Sequence, residues 1–123
     1  MYTEILEELG LSKNEAKIYE ALLELGKASV PEISLKTNVH RRNVYDIIPK
    51  LLQKGLIYQI VDIKENMYAA VEPEKLKDLI REKQAKLESI LPALKREFRK
   101  KATNEAVYIY KGIEGFKNYL RDI

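Results

Sequence analysis

The sequence predicts a mainly α fold of the α+β class, and three patterns along its 123 residues carry that prediction. Apolar residues first recur at helical spacing, in segments that open with capping motifs. Two β-rich runs on either side of a short polar segment then predict a hairpin. A long helical seam of apolar residues follows. Two short helices joined by a tight turn and followed by a hairpin predict a winged helix-turn-helix.

Capping motifs mark the starts of the second and third helices. Ser12 stands three residues before Glu15, and Ser29 stands three residues before Glu32. Each pair can form a capping box, in which the Ser oxygen and the Glu carboxylate bind free amides of the first turn. The predicted helices are a short one over "TEILEEL" and two longer ones over about 13–25 and 30–37.

A tight turn separates the third helix from the fourth. Asn38 ends the third helix, because Asn tolerates the left-handed conformation that such a turn needs. Val39 can then fill the angle between the two helices. The fourth helix is predicted over about 40–54, and Gly55 ends it. Its apolar side chains share one face, and the core residues predicted there are Val44, Ile47, Ile48, Leu51 and Leu52.

After the fourth helix, the spacing of apolar residues is no longer that of a helix. "LIYQIVDI" and "MYAAV" predict two strands around "KEN", and Pro73 suits the first turn of a new helix. That helix has the alternating spacing of a coiled coil, so we expect it to pair two copies of the chain. Pro92 predicts a kink or break near 88–92. The predicted dimer interface consists of Leu76, Ile80, Lys83, Leu87, Ile90, Leu94 and Phe98.

These elements divide the chain into three parts. Residues 1–72 form the predicted winged helix-turn-helix, and residues 73–101 form the coiled-coil helix. Residues 102–123 form a short tail with a strand at about 105–110 and then a helix. Its "GIEG" lacks the glycine-rich context and the Lys-Ser/Thr ending of a phosphate loop, so a strand-to-helix turn is the favoured interpretation.

Composition excludes several classes of site. Cysteine is absent and His40 is the single histidine, so no disulfide, thiolate metal site or metal cluster is expected. No nucleophile motif or cofactor loop is present, so we expect neither enzymatic activity nor a cofactor. No apolar run approaches the ~20 residues of a membrane span. The acidic N-terminus does not resemble a signal peptide. We therefore expect a cytoplasmic protein.

The small net charge of +3 is unevenly distributed. Residues 36–55 carry five basic side chains against one acidic side chain, and residues 95–101 carry the same ratio. Residues 1–28 carry three basic against six acidic side chains. A local basic surface attracts a polyanion more than the total charge indicates. The cluster at 95–101 can contact DNA phosphates, although a solvated coiled-coil end is the favoured interpretation.

The outer face of the fourth helix has the side chains of a recognition helix. Arg42, Asn43 and Lys50 lie opposite the apolar face, Arg41 projects from the first turn, and Tyr45 lies at the border. Arginine matches the two acceptors of guanine in the major groove, and asparagine suits adenine. The N-terminal part of a recognition helix is the part that meets base edges. We therefore predict contact with double-stranded DNA, and Lys36 and Lys64 complete the predicted set.

Four stretches resemble one family: "LGLSKNEAKIYEALLELG", "RNVYDII", "KGLI" and "YAAVEPEKL". They resemble the N-terminal winged-helix domain of the TrmB-like transcription regulators, which are archaeal repressors and activators of sugar metabolism. The resemblance covers about residues 9–80. It implies DNA binding as a homodimer, with the fourth helix in the major groove. The DNA-facing positions that it implies are His40, Arg41, Arg42, Asn43 and Tyr45.

The sequence departs from this family at three places. Pro49 stands where such helices usually have an ordinary helix former. The wing tip "DIKENM" carries one Lys against two acidic residues, which disfavours insertion into the minor groove. The stretch "AVYIYKGIEGFKNYL" looks like the opening of the sugar-sensing domain of longer members, and the chain ends there. Either a short natural member or a truncated one is consistent with this, and no sugar effector is expected.

The alternative function is a winged helix that binds another protein and not specific DNA. Such modules often lack basic residues on the fourth helix, so Arg41, Arg42 and Lys50 favour DNA. His40 is interpreted as a helix-start or phosphate contact. For the long helix, the alternative to dimerisation is packing against its own winged helix.

Overall fold

A computed structural model describes the backbone of residues 2–109 and the side chains of residues 2–101. It confirms the mainly α winged helix-turn-helix with a small two-stranded sheet. Two compact units meet in sequence at Ile80 and Arg81. The elements are α1 (Thr3–Glu8), α2 (Lys13–Leu25), α3 (Val30–Thr37), α4 (Arg41–Gln53), β1 (Ile57–Ile60), β2 (Met67–Ala70) and, after a 3-10 turn at Pro73–Lys75, α5 (Leu76–Ile109).

Both predicted capping boxes are present. The Ser12 hydroxyl accepts from the Glu15 amide at 3.1 Å, and the Glu15 carboxylate accepts from the Ser12 amide at 2.6 Å. Ser29 and Glu32 form the same pair of bonds at 3.5 and 3.3 Å. These bonds satisfy amides that have no partner within the first turn of a helix. They therefore fix where α2 and α3 begin.

The turn between α3 and α4 is held by its own polar side chains. Asn38 has φ 62°, the left-handed conformation that ends α3. The Val39 amide donates to the Thr37 hydroxyl at 3.2 Å, and the Ser34 hydroxyl donates to the Val39 carbonyl at 2.6 Å. The Val39 side chain is buried between the helices, as predicted. These contacts fix the angle at which α4 leaves α3.

The core of residues 1–80 lies among α2, α3, α4 and the sheet. The predicted inner face of α4 is confirmed, with Leu52 only partly buried at its edge. Tyr19 is buried, and its hydroxyl donates to the Val71 carbonyl at 3.2 Å. Burial raises the pKa of this phenol, so the hydroxyl keeps its proton. The largest fully buried apolar side chains are Tyr19, Ile18, Leu22, Ile33, Leu51, Leu56 and Val44.

The sheet is an antiparallel hairpin that reaches back to the start of α3. The register of β1 and β2 runs from Ile57 opposite Ala70 to Ile60 opposite Met67. On the other side of β2, Ala28 forms an antiparallel bridge with Tyr68 through two backbone bonds of 2.9 and 2.8 Å. Sequence reasoning did not predict this bridge. It ties the wing directly to the segment that begins α3.

The strand predicted at about 105–110 is wrong for residues 105–109, because α5 continues to Ile109. A helix adds one hydrogen bond for each residue it fixes, so extension costs less than starting a new element. Ala102, Glu105 and Ala106 favour extension, and the first glycine after them is Gly112. The rest of the predicted tail, including its helix, lies outside the described residues.

Neither internal proline ends its helix. α5 is continuous through Pro92, so the break predicted near 88–92 does not occur. α4 is likewise continuous through Pro49, which is exposed. A proline removes its own amide from the helical bonding pattern and its ring crowds the carbonyl four residues earlier, but the other bonds of both helices continue on either side. The apolar face of α4 therefore stays packed on both sides of Pro49.

Candidate nucleic-acid interface

The outer face of α4 presents the predicted base-reading side chains to solvent. Arg41, Arg42, Asn43, Tyr45 and Lys50 are all exposed, while the apolar residues between them are buried in the core. Within the described part of the chain, neither arginine forms an ion pair or a side-chain hydrogen bond. Their guanidinium groups are therefore available to an acceptor outside the chain.

His40 caps the start of α4. Its Nδ1 accepts from the Arg42 amide at 3.1 Å, which satisfies one of the free amides of the first turn. His40, predicted as a DNA contact, thus also holds the backbone from which Arg41 and Arg42 project.

Two of the predicted DNA contacts have acidic neighbours. The Lys36 ammonium lies 2.9 Å from a Glu24 carboxylate oxygen, and both side chains are largely exposed. Such surface pairs contribute about 0–1 kcal/mol, so Lys36 can exchange Glu24 for a phosphate at little cost. Lys64 is exposed at the wing tip, close in sequence to Asp62 and Glu65. Apolar Ile63 is fully exposed between them.

Sequence reasoning missed a role for Lys54. Its ammonium, at the C-terminal end of α4, lies 2.8 Å from Glu15 Oε1 and 3.5 Å from the Gly10 carbonyl. Glu15 is 3% exposed, and its Oε2 has no hydrogen-bond partner among the described residues. Burial raises the pKa of Glu15, but the hydrogen bonds from Lys54 and Ser12 together have the larger effect. The pKa of Glu15 is therefore lowered from its ordinary value of 4.5. Lys54 therefore anchors α4 to the start of α2.

Replacing Lys54 with methionine should lower the free energy of unfolding by about 1–2 kcal/mol, because Glu15 keeps a buried charge without its cationic partner. Thermal or urea unfolding measures this. Lys36→Met, which removes an exposed pair, is the matched control and should change stability by less than about 1 kcal/mol.

The sign of the pH dependence follows from the lowered pKa of Glu15. The contribution of the Glu15–Lys54 pair is present above pH 4.5 and is lost as the pH falls through the folded-state pKa. Wild type and Lys54→Met should therefore converge in stability at acidic pH. A difference that does not shrink as the pH is lowered through the acid unfolding range would contradict this.

The seam of α5 exposes a row of large apolar side chains. Leu87, Ile90 and Leu94 are 51%, 52% and 50% exposed. Leu76 packs against the core of the first unit, and Phe98 is half-buried. A row of this kind has the residue spacing of a coiled-coil seam.

Two other features are absent from the described part of the chain. Its His, Asp and Glu side chains form no group of three or more that could hold a metal ion. None of its helices is long and apolar enough to cross a membrane.

Comparison with known proteins identifies the same region. Residues 6–74 match the family described as "Sugar-specific transcriptional regulator TrmB". The chain is 29% identical over 114 residues to the HTH-type sugar sensing transcriptional regulator TrmBL1 of Pyrococcus furiosus. That alignment covers 92% of this chain and 33% of TrmBL1, so the chain spans about a third of that relative.

Two solved structures extend the comparison. TrmBL2, described as an archaeal chromatin protein with a novel mode of DNA binding, superposes with a TM-score of 0.71 at 27% identity. The match covers 88% of this chain and 42% of TrmBL2. YusO from Bacillus subtilis superposes with a TM-score of 0.53 at 19% identity, over 89% of this chain and 82% of YusO. The likeness to YusO is one of fold.

Proposed function

This chain belongs to the TrmB family of sugar-specific transcriptional regulators, and we propose that it binds specific double-stranded DNA as a homodimer, with α4 in the major groove. The family is one of transcription regulators, and TrmBL2 is described as an archaeal chromatin protein with a novel mode of DNA binding. The observation that carries the proposal is the pair of exposed guanidinium groups at the start of α4. They stand where a recognition helix meets base edges.

Different parts of α4 are suited to base reading and to phosphate binding. Arg41, Arg42 and Asn43 lie on the first turn and have the donor geometry for base edges. Lys50 lies two turns further along the exposed face, and a lysine is a point charge suited to phosphate. Tyr45, exposed between them, can reach the sugar-phosphate backbone with its hydroxyl. The first turn therefore provides specificity, and Lys50 provides sequence-independent affinity.

The wing is assigned a smaller role. Its tip carries one positive charge, on Lys64, and two negative charges, on Asp62 and Glu65. The net charge of the tip is therefore negative, and DNA phosphates repel the tip as a whole. Lys64 is retained as a single phosphate contact at the groove edge. Specificity then depends on α4 and on the spacing of two half-sites in a symmetric dimer.

The proposal is tested by measuring binding to duplexes selected from a random pool, at several salt concentrations. Binding should weaken steeply with salt, since each neutralised phosphate releases counterions. Lys50→Ala should weaken binding to all duplexes alike and reduce the magnitude of the slope of log K against log salt by about 1. Gln53→Ala, one turn away on the same exposed face, is a control that changes no charge and should leave the slope unchanged.

Two results would oppose the proposal. If wild-type protein shows no salt-dependent binding to any duplex and is not retained on heparin, the DNA-binding function fails. Retention on heparin without enrichment of any sequence would leave non-specific DNA binding and would remove the sequence-specific part of the proposal.

A further inference from the structure

Charged residues in the seam of α5 indicate in which relative direction two copies of this helix would pair. Strict alternation of four- and three-residue steps from Leu76 gives one set of core positions. Half of these core positions (heptad a) are Ile80, Leu87, Leu94 and Lys101, and the other half (heptad d) are Leu76, Lys83, Ile90 and Glu97. The apolar members within residues 80–94 are the exposed row already described. Three of these eight positions are therefore charged.

A parallel, in-register dimer places each core residue against its own copy. Lys83 would face Lys83, Glu97 would face Glu97, and Lys101 would face Lys101. Like charges in a partly dehydrated core repel each other more strongly than on an open surface. Such a dimer would contain three repulsive layers in one short coiled coil.

We propose that α5 pairs with α5 of a second copy in the antiparallel direction, centred near residue 85. In this orientation the a positions of one helix face d positions of the other. Ile80 then faces Ile90 and Lys83 faces Leu87, while Leu94 meets the part of Leu76 that its own core leaves exposed, and two-fold symmetry repeats each pair. This inference rests on the proposed homodimer and adds its geometry.

The antiparallel pairing accounts for the charged positions. The methylene stem of Lys83 packs on Leu87 while its ammonium reaches solvent. Glu97 and Lys101 fall beyond the overlap, which ends at Leu94. A shift of one heptad toward the C-terminus would place Ile80 against Glu97, and so would lose apolar pairs. The register centred near 85 is therefore favoured.

One like-charge approach remains in this register, at Lys86 beside the two-fold axis. Its side chain is on the exposed flank, where solvent and salt screen it. Glu82 lies one turn earlier on the same helix and offsets its charge. On the opposite flank, Gln84 meets Gln84 of the second copy, a neutral pair that can form hydrogen bonds.

Cysteine cross-linking tests the orientation, because the natural chain has no cysteine. Flank positions of two paired helices lie too far apart for a direct disulfide, so a short bis-maleimide that joins two thiols is the reagent. With this reagent Gln84→Cys should form a covalent dimer, since residue 84 lies on the flank of the pair beside the two-fold axis. Glu97→Cys should stay monomeric on a denaturing gel, because the two copies lie more than about 30 Å apart along the axis. Asn66→Cys, at the exposed wing tip, measures random collisions.

The reverse pattern would overturn the inference. Efficient cross-linking of Glu97→Cys, with Gln84→Cys no better than Asn66→Cys, would establish parallel pairing and leave the homodimer standing. Sedimentation of uncross-linked wild type as a monomer would remove the homodimer as well. Cross-linking of Gln84→Cys above the Asn66→Cys background, with Glu97→Cys at background, supports the antiparallel arrangement whether or not DNA binding is observed.

Discussion

Replacing Arg42 with alanine is expected to weaken binding to the preferred duplex by about 1–3 kcal/mol, or roughly 5- to 150-fold. The reason is the loss of a two-pronged donor that matches the two acceptors of a guanine in the major groove. The loss should be much smaller on unrelated duplexes. Titration of labelled duplexes by fluorescence anisotropy at fixed salt measures both values.

The structure indicates that Arg42→Ala removes the guanidinium group without disturbing the fold. The Arg42 side chain is exposed, and it is the backbone amide that donates to His40 Nδ1, so alanine keeps the cap. Thermal stability should be unchanged. Lys13→Ala is the matched control. Lys13 begins α2 beside Ser12, near the end of α4 that Lys54 anchors and therefore at the opposite end from Arg42. Its effect on binding should be small.

A different result would reassign Arg42. If the substitution weakens every duplex alike and reduces the salt slope, then Arg42 contacts a phosphate and base reading belongs to Arg41 or Asn43. If it leaves both affinity and salt slope unchanged, α4 does not use its first turn on DNA. The proposed docking of α4 would then be wrong.

Local signals predicted most of the winged helix correctly. The capping boxes, the left-handed Asn38 and the glycine after α4 each act within one turn of chain, so a short window of sequence contains the whole interaction. The apolar face of α4 was likewise readable, because helical periodicity alone decides which side chains share a face.

What was missed depends on distant parts of the chain. The Glu15–Lys54 pair joins residues 39 apart, and a charge pattern does not reveal which lysine meets which carboxylate. The Ala28–Tyr68 bridge joins segments that show no shared periodicity. The wrong strand at 105–109 has another cause. β-branched and aromatic residues there favoured a strand, but continuation of the long helix that begins at Leu76 prevailed.

The double substitution Leu87→Glu with Leu94→Glu should convert the proposed dimer into a folded monomer. Each leucine that pairing would fully bury contributes about 1.5–3 kcal/mol, and the carboxylate at position 94 would be dehydrated among apolar partners. The carboxylate at position 87 would meet Lys83 of the second copy, and a partly exposed pair of this kind contributes less than the apolar contact it replaces. Both leucines are half-exposed in the single chain, so the monomer should tolerate the change. Dimer affinity should fall more than about 100-fold. Analytical ultracentrifugation measures the association, and circular dichroism checks the fold.

Ala85→Glu with Ser89→Glu is the matched control, because it adds the same charge to exposed positions of α5 outside the seam. This variant should remain a dimer and keep its affinity for DNA. The seam variant should lose most of its affinity for a two-fold operator while still contacting a single half-site weakly, since one recognition helix remains. If the seam variant stays dimeric, the interface lies elsewhere, with α1 the first candidate. If it unfolds, α5 belongs to the core of its own chain, and a second copy is not what buries Leu87 and Leu94.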